Sequence, residues 1–445
     1  MSRRPLYEKL LSLHKQNRSS FHTPGHKYGT FFPAEMMLLD FTELPETDAL
    51  FEANGVILSA EQKLSELYST AASCISAGGC SLAIQAMLRT AKDRGGKLLC
   101  ARNAHRSAVN AMALLDIQPV WLYPKGSSHY TGRIQPEDVA AAFREHPDIT
   151  ACYLTSPSYY GEMCDIGAIA RICHNHDAIL LVDNAHGSHL AFMEQNCHPI
   201  ALGADMTACS LHKTMPVLTG GAVLNIRTPG LAQHAKAYMS LFASTSPSYL
   251  IMSSIDLCVD YMLYNGGKAD YLRCEYTVAA LKKLAADRGV PQAEGLCDPL
   301  RLTLNTAACG IAGEDKQQSF FDDFKIDCEF CDGENAVLIC TPFNREKDFQ
   351  RLRSAILQLQ PADKPYAPFP ALSAPPCVMS LREAVLSPFE TVPVHQAAGR
   401  IAADTVCPCP PGVPLIMPGE KITSAAAALL SRRNITSLHV VAGHK

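Results

Sequence analysis

Short apolar runs recur between about residues 97 and 226, and each is separated from the next by a stretch of helical length. These runs hold four or five residues and show no alternation of apolar and polar positions. Such runs predict strands that are buried on both faces of a mostly parallel sheet, with helices between them. The candidate strands are Lys97-Leu-Leu-Cys100, Val120-Trp-Leu-Tyr123, Ala151-Cys-Tyr-Leu154, Ile179-Leu-Leu-Val182 and Ala222-Val-Leu-Asn-Ile226.

Polar residues follow three of these strands directly. The three clusters are Asn103-Ala-His105, Thr155-Ser-Pro157 and Asp183-Asn-Ala-His186. Ligands of open α/β sheets bind outside the carboxyl ends of the strands. The pattern therefore predicts one binding site that contains all three clusters.

The remaining sequence predicts two further parts of the chain. Residues 5–17 form an amphipathic pattern, and a loop rich in glycine and proline follows it. After residue 250 a helical pattern gives way to two strands, near 300–304 and 336–340, and to a helix near 346–359. We predict three regions: an N-terminal helix and loop segment (1–55), a large domain (56–260), and a smaller α+β C-terminal domain (261–445) with a proline-rich stretch near 361–376.

Composition narrows the class of protein. The 445 residues are 47% hydrophobic and 18% charged, as expected of a compact soluble enzyme. The formal net charge of −4 gives no reason to expect a nucleic-acid partner. No apolar run approaches the roughly 20 residues that span a bilayer, and no signal peptide is recognised, so we expect a cytoplasmic protein without a membrane partner.

The 18 cysteines are scattered along the chain, which favours free thiols in a reducing cytoplasm. Cys328 and Cys331 have CxxC spacing, but no second pair completes a zinc site. We therefore expect no bound metal.

The segment Ser210-Leu-His-Lys213-Thr carries the strongest chemical signal. A lysine can form a Schiff base with an aldehyde cofactor, and Ser210 and His212 can donate hydrogen bonds to a phosphate. Asp183, at the end of an apolar run, can pair with a protonated pyridine nitrogen. Together they predict a pyridoxal phosphate site, although Lys213 alone could be a surface lysine and Asp183 a helix N-cap.

Two histidines belong to the same candidate site. His186 could reach the phenolic oxygen of the cofactor or the substrate carboxylate, and the alternative is a structural histidine. His105 precedes a helix and could stack on the cofactor ring, whereas the alternative is a capping or core role.

Two further segments are candidate phosphate ligands. Gly79, Cys80 and Ser81 open a predicted helix, where free backbone N–H groups bind phosphate, although turns rich in glycine are common. Thr245 and Ser246 lie in a cluster of hydroxyl residues before another helix. They could cap that helix or reach a phosphate from a neighbouring subunit.

The chain resembles the Orn/Lys/Arg decarboxylase family. The resemblance extends over nearly the whole sequence. It rests on Phe21-His-Thr-Pro-Gly-His-Lys27, Asp40-Phe-Thr-Glu-Leu-Pro45, Arg102-Asn-Ala-His105, Thr155-Ser-Pro-Ser-Tyr-Tyr-Gly161, Leu181-Val-Asp-Asn-Ala-His-Gly187, Ser210-Leu-His-Lys-Thr214, Ser244-Thr-Ser-Pro-Ser-Tyr249, Pro410-Pro-Gly-Val-Pro and Pro418-Gly-Glu420.

The resemblance implies a fold-type-I pyridoxal phosphate enzyme. Lys213 would bind the cofactor covalently, Asp183 would hold the ring nitrogen, and His105 would stack on the ring. The expected phosphate ligands are Ser81, Ser210 and His212, together with Thr245 and Ser246 across a homodimer interface. The chain resembles the short Gram-positive type, which has no N-terminal receiver-like domain.

Two departures from the family pattern lie in the motifs of the candidate site. Cys80 lies where the family usually has a hydroxyl residue, and a thiol is the poorer donor. Asn184 lies where the family usually has a glutamate. Neither change affects Lys213 or Asp183.

The expected reaction is decarboxylation of lysine, arginine or ornithine to carbon dioxide and an amine of polyamine biosynthesis, with Lys213, His105 and His186 as catalytic residues. A cationic substrate needs a carboxylate for its distal charge, and Glu43, Glu162 and Glu420 are candidates. Two alternatives stay open: another reaction on the same fold, such as an aminotransferase or a lyase, and a homologue without catalytic activity.

Overall fold

The computed structural model describes residues 19–21, 41, 43, 47–125, 132–363, 375–407, 414–433 and 435–443. The predicted helix at 5–17 lies outside the described residues, as do most of the N-terminal loop and most of the proline-rich stretch.

Strands and helices alternate through the first half of the described chain. The strands are β1 Ser19–Phe21, β2 Ala72–Ser76, β3 Lys97–Ala101, β4 Val120–Leu122, β5 Ile149–Thr155, β6 Ile179–Asp183, β7 Met206–Cys209, β8 Ala222–Ile226, β9 Arg301–Asn305, β10 Ile326–Cys328, β11 Phe330–Cys331, β12 Asn335–Ile339, β13 Phe389–Pro393 and β14 Ser437–Val441. The α-helices are α1 Val56–Tyr68, α2 Gly79–Asp93, α3 Arg106–Leu115, α4 Pro136–Glu145, α5 Ile166–Asn175, α6 Leu211–Thr214, α7 Pro229–Ala232, α8 Ala235–Ser240, α9 Tyr249–Tyr264, α10 Gly267–Asp287, α11 Glu314–Asp323, α12 Glu346–Gln358, α13 Leu381–Leu386 and α14 Ser424–Arg432.

Seven strands form the central sheet in the order β2-β8-β7-β6-β5-β3-β4. From β4 to β7 the neighbouring strands are parallel, whereas β8 is antiparallel to both β7 and β2. Neighbours along β6 pack on opposite faces of the sheet: Leu180 and Val182 join one apolar cluster, and Ile179 and Leu181 join another. The predicted α/β class with a mostly parallel sheet is confirmed.

Strands β2 and β7 were not predicted from the sequence, because they carry buried polar residues that interrupt the apolar run. The hydroxyl of Ser73 on β2 donates to Asn225 Oδ1 on β8 over 2.7 Å. Thr207 on β7 is also fully buried. A search for short apolar runs misses strands whose polar side chains bond inside the sheet.

The C-terminal part forms smaller sheets and packs beside the large one. Strands β11, β12 and β9 make an antiparallel sheet, β10 pairs with β1, and β13 pairs with β14. Two positions matter for the site: β9 begins at Arg301, and Glu329 lies between β10 and β11.

Two negative findings hold for the described residues. None of the described helices is both long and apolar enough to cross a membrane. Within the same residues, no group of three or more His, Cys, Asp or Glu side chains is arranged to hold a metal ion.

Candidate active site

A cavity of about 310 Å³ lies at the carboxyl ends of the central strands. Its volume is within the range of small-molecule sites. It brings together residues from the ends of β5, β6 and β7 and from the starts of three helices. The lining residues are Gly79, Cys80, Ser81, Ile84, Asn103, His105, Ser107, Thr155, Ser158, Tyr159, Asp183, Ala185, His186, Ser210, His212 and Lys213.

Lys213 lies on the short helix α6 and is hydrogen bonded to His186. Its Nζ is 2.9 Å from His186 Nε2. Burial lowers the pKa of the Lys213 amine, and the positive charge of Arg301 acts in the same direction. The negative charges of Glu329 and Asp183 oppose this shift. An amine with a lowered pKa is a better nucleophile near neutral pH.

Arg301 holds the other side of the His186 ring. Its Nη2 is 3.1 Å from His186 Nδ1, and its Nη1 donates to the Tyr159 carbonyl over 2.7 Å. The guanidinium is almost fully buried. Burial lowers the pKa of His186 well below its usual value, and the nearby charges of Lys213 and Arg301 lower it further. Sequence reasoning did not identify Arg301.

Asp183 ends β6 on the cavity wall. Its Oδ1 accepts a hydrogen bond from the Ala185 backbone N–H over 3.1 Å, and its Oδ2 accepts one from the Tyr153 hydroxyl over 3.3 Å. Burial raises the pKa of this carboxyl, while the Ala185 hydrogen bond and the charge of Lys213 lower it. A buried carboxylate in this position is suited to a cationic partner.

His105 lines the cavity and also caps helix α3. The Ser107 backbone N–H donates to His105 Nδ1 over 3.2 Å. Burial lowers the pKa of His105 to about 4, and the charge of Lys213 contributes. The ring is therefore neutral at physiological pH. His105 therefore both caps helix α3 and forms part of the cavity wall.

The first turn of α2 faces the cavity with Gly79, Cys80 and Ser81. First-turn N–H groups of a helix have no acceptor within the helix and can bind an anion. Gly79 has a φ of +73°, and open space surrounds the position of a Cβ. Burial raises the pKa of the Cys80 thiol well above its usual value, so it stays protonated.

Ser210 and His212 line the same cavity as Lys213. Ser210 is the N-cap residue of α6, and its carbonyl accepts a hydrogen bond from the Ser188 hydroxyl over 3.0 Å. The His212 ring is held by a hydrogen bond from Nδ1 to the Gly221 carbonyl over 3.1 Å. These contacts fix the segment that carries the lysine.

Two buried oxygens in the wall of the cavity have no protein partner. They are Asn103 Oδ1 and Thr155 Oγ1. Buried polar atoms without a partner are rare in proteins and indicate a missing ligand or water. The donor set, the lysine, the buried carboxylate and these two oxygens all suit a phosphate-bearing pyridine aldehyde. The cavity therefore fits pyridoxal phosphate.

Thr245 and Ser246 are exposed and do not line this cavity. Ser246 instead lines a neighbouring cavity of about 200 Å³, and Ser81 borders both cavities. In the same segment, Ser248 caps α9 by accepting a hydrogen bond from the Ile251 N–H.

The three carboxylates predicted to bind substrate do not line the cavity. Glu420 is buried against Arg102, with 2.7 Å between Oε2 and Nη2. Glu162 accepts hydrogen bonds from the Gly132 N–H and from the Ser158 hydroxyl. Glu43 is half-buried. The structure thus places Glu420 in an ion pair and Glu162 in hydrogen bonds with its own surroundings.

A further carboxylate, Glu329, is connected to the cavity wall through Tyr159. The hydroxyl of Tyr159 is 3.4 Å from Glu329 Oε1, and the Tyr159 ring packs edge-on against His186 at 4.9 Å. Sequence analysis did not select Glu329 because it lies in the C-terminal part, between β10 and β11 and 170 residues after Tyr159.

Asn184, which departs from the family pattern, does not line the cavity. It is fully buried, and its amide donates to Cys209 Sγ over 3.2 Å. The substitution therefore affects the packing behind Asp183 rather than the cavity wall.

Comparison with known proteins agrees with this geometry. The family model described as Orn/Lys/Arg decarboxylase, major domain, matches residues 4–346, and the C-terminal domain model of the same family matches 364–433. An arginine decarboxylase of Halalkalibacterium halodurans is 29% identical over 98% of this chain and 94% of its own length. The uncharacterized protein YaaO of Bacillus subtilis is 32% identical over 98% of this chain and 95% of its own length.

Solved structures show the same fold. The lysine decarboxylase LdcF of Francisella novicida superposes with a TM-score of 0.75 at 17% identity, covering 98% of this chain and 81% of that one. Since the family model spans most of the sequence, the chain belongs to the Orn/Lys/Arg decarboxylase family of pyridoxal phosphate-dependent amino-acid carboxy-lyases.

Proposed function

We propose that this enzyme decarboxylates a basic amino acid and that arginine is its favoured substrate. The observation that carries the proposal is the meeting of Lys213, Asp183 and His105 in one cavity whose wall is linked to the carboxylate of Glu329. Arginine is put first because curated relatives 28–29% identical bear the name arginine decarboxylase, whereas those named lysine decarboxylase are 20–22% identical.

We propose that Lys213 carries the cofactor and that Asp183 holds its ring nitrogen. His105 would cover the ring, and the phosphate would meet the first turn of α2 at Gly79, Cys80 and Ser81 and the side chains of Ser210 and His212. When bound, pyridoxal phosphate supplies an electron sink that stabilises the negative charge left at the α-carbon as carbon dioxide departs.

Lys213 and His186 would transfer protons in the reaction. The two side chains share a hydrogen bond, so a proton can pass between Nζ and Nε2. Burial lowers the pKa of both groups, that of His186 well below its usual value. Either group, after taking up a proton from solvent, could deliver to the α-carbon the proton that replaces carbon dioxide.

Glu329 would receive the distal cation of the substrate. The Tyr159 hydroxyl orients Oε1 of this carboxylate beside the cavity. Glu329 is also close enough to Lys213 for its charge to oppose the lowering of the lysine pKa. A guanidinium binds a carboxylate through two parallel hydrogen bonds, which suits arginine better than a single ammonium.

We further propose a homodimer in the cytoplasm. The exposed segment with Thr245 and Ser246 borders a cavity next to Ser81, where a second subunit could complete the phosphate site. The cysteines of the described residues carry free thiols, as is usual in a reducing compartment. The amine product would be a precursor of polyamines.

Release of carbon dioxide from arginine, lysine and ornithine, each tried separately with the purified protein and added pyridoxal phosphate, tests this proposal. Arginine should give the highest kcat/KM, and Lys213→Ala should abolish release while the exposed Lys283→Ala leaves it unchanged. Faster release from lysine or ornithine would overturn the choice of arginine. Formation of a keto acid without carbon dioxide would indicate an aminotransferase. Absence of cofactor binding would indicate a non-catalytic homologue.

A further inference from the structure

The guanidinium of Arg301 meets His186 on the side opposite Lys213. We propose that Arg301 is a positioning residue, which fixes the His186 ring with its proton on Nε2 and so holds Lys213 as an unprotonated amine. This inference rests on the proposed function of Lys213 as the cofactor lysine. It assigns the protonation state of that lysine before the cofactor binds.

The direction of the first hydrogen bond is fixed by chemistry. A guanidinium has only N–H donors and no acceptor. The contact of 3.1 Å between Arg301 Nη2 and His186 Nδ1 therefore requires an unprotonated Nδ1. A doubly protonated ring would place two N–H groups against each other, so the ring is neutral and its single proton is on Nε2.

The second hydrogen bond follows from the first. His186 Nε2 is 2.9 Å from Lys213 Nζ. With its proton on Nε2 the ring can only donate here, and an ammonium group has no lone pair to accept. Lys213 must therefore be a neutral amine. A protonated lysine and Arg301 would compete for the one acceptor of the ring.

Arg301 is itself held rigidly. Its Nη1 donates to the Tyr159 carbonyl over 2.7 Å, and Asp298 lies 3.8 Å from its Nη2. Asp298 in turn is anchored by His189 Nε2 at 2.7 Å and accepts from Lys282 through its carbonyl. The side chains of Arg301, Asp298 and His189 are nearly inaccessible to solvent. The guanidinium therefore cannot turn away from His186 without breaking a buried network.

Other charged or titratable groups also surround Lys213. Burial and the Arg301 charge lower the pKa of its amine, whereas Cys80, Glu329 and Asp183 raise it. His105 and His212 also lie close to His186. The carboxylates of Glu329 and Asp183 favour the ammonium form, so the hydrogen-bond chain from Arg301 supplies a bias in the opposite direction.

Nitrogen-15 NMR of the protein without cofactor tests the tautomer directly. Histidine labelled with nitrogen-15 should show, for the signal lost in His186→Gln, a protonated Nε2 and an unprotonated Nδ1 at pH 7. The opposite tautomer in the unaltered protein would overturn the proposal, and this measurement needs no Arg301 variant to fold.

Reactivity of Lys213 provides the second test. Reductive methylation with formaldehyde, followed by mass spectrometry of the Lys213 peptide, measures the unprotonated amine across pH. Arg301→Met should move the midpoint of this profile upward. A shift of one unit would lower the reactive fraction about tenfold at pH 7. Arg301→Lys keeps a cationic donor and should restore the profile in part.

A matched control removes another buried arginine. Arg433 is about as buried as Arg301 and donates to the Asp332 carbonyl in the C-terminal part. Arg433→Met should leave the methylation profile and the His186 tautomer unchanged. An unchanged profile in a folded Arg301→Met variant would overturn the proposal. Neither readout requires turnover. Failure of the proposed decarboxylase activity would therefore not by itself change either result.

Discussion

The hydroxyl of Tyr153 on β5 donates a hydrogen bond to Asp183 Oδ2 on the adjacent strand β6, over 3.3 Å. Both side chains are buried, and the Ala185 N–H satisfies the other carboxylate oxygen. The two bonds fix the plane of the carboxylate. Since Asp183 faces the cavity, its orientation determines where a cationic ring nitrogen can bind.

Replacement of the Asp183 charge should impair catalysis more than folding. Asp183→Asn keeps the shape but cannot neutralise a pyridinium, so we expect kcat/KM to fall about 100-fold or more. Tyr153→Phe removes only the hydrogen bond that orients Asp183, and it should lower kcat/KM less than about tenfold. The exposed Asp287→Asn serves as the control for an aspartate change. Wild-type turnover by Asp183→Asn would contradict the assignment.

Glu329 should determine the preference for a cationic substrate. Glu329→Gln is expected to raise KM for arginine about tenfold or more with little change in kcat, because it weakens ground-state and transition-state binding alike. For citrulline, a neutral isostere of arginine, the same variant should lower kcat/KM much less. The ratio of the two kcat/KM values measures the effect.

The same comparison separates Glu329 from the carboxylates that the sequence suggested. Glu162→Gln should change this ratio little, because Glu162 does not line the cavity and its carboxylate already accepts hydrogen bonds from the Gly132 N–H and the Ser158 hydroxyl. Glu420→Gln should lower the unfolding temperature, since it leaves the buried Arg102 without its carboxylate. A larger loss of arginine preference in either variant than in Glu329→Gln would refute our choice.

The sequence was informative about Lys213 and Asp183 for a physical reason. Each lies within a few residues of a buried strand, and parallel strands bring their carboxyl ends to one edge. Register then places Thr155 of β5 opposite Asp183 of β6. A reader of the sequence can therefore foresee that these side chains meet.

Arg301 and Glu329 could not be found in this way. Arg301 meets His186 across 115 residues, and Glu329 meets Tyr159 across 170. Both come from the smaller sheets, whose placement against the large sheet depends on packing rather than on any local pattern. Nor could a local pattern foresee that Glu420 is buried against Arg102, 318 residues away in the sequence.

His198 should make the fold sensitive to acid. Burial lowers the pKa of His198 to about 3, and its Nδ1 accepts the Ile200 N–H. An unfolded histidine titrates near 6.5, so between about pH 6.5 and 3 the unfolded chain binds the extra proton. Stability is therefore present above pH 6.5 and is lost as pH falls through this window, by roughly 3 to 5 kcal/mol in all.

The unfolding free energy from urea denaturation, measured from pH 7 to pH 4.5, checks this contribution. His198→Gln should be less stable at pH 7 and should show a shallower fall than the unaltered protein, because glutamine does not titrate. His395→Gln changes an exposed histidine and should leave the slope unchanged. Parallel slopes for wild type and His198→Gln would disprove the prediction.

Subunit mixing can test the proposed role of Thr245 and Ser246. If these residues complete the phosphate site of the partner subunit, Lys213→Ala and a Thr245→Val/Ser246→Ala double variant are each inactive alone. Random mixing makes half of the dimers mixed, and each mixed dimer regains one intact site. Activity should therefore return to about a quarter of the wild-type value. No recovery, with mixed dimers verified by mass spectrometry, would place the hydroxyls in their own subunit or outside the site.

Gly161 connects the sequence motif Tyr159-Tyr-Gly161 to the position of Arg301. Its φ is +90°, and a Cβ would lie 2.6 Å from Arg301 Cγ. Gly161→Ala should therefore displace the guanidinium from His186 in addition to straining the backbone. We expect the His186 tautomer and the Lys213 methylation profile to change as in Arg301→Met.

Gly399→Ala separates displacement from strain. Gly399 has a similar φ of +87°, but no atom lies within 4 Å of the Cβ position. Both variants should lose about 1 kcal/mol or more of stability because alanine resists this conformation. Only Gly161→Ala should alter the nitrogen-15 signals of His186. Equal and unperturbed His186 signals in the two variants would mean that Arg301 tolerates the displacement, and that the close packing of Gly161 against it does not serve the site.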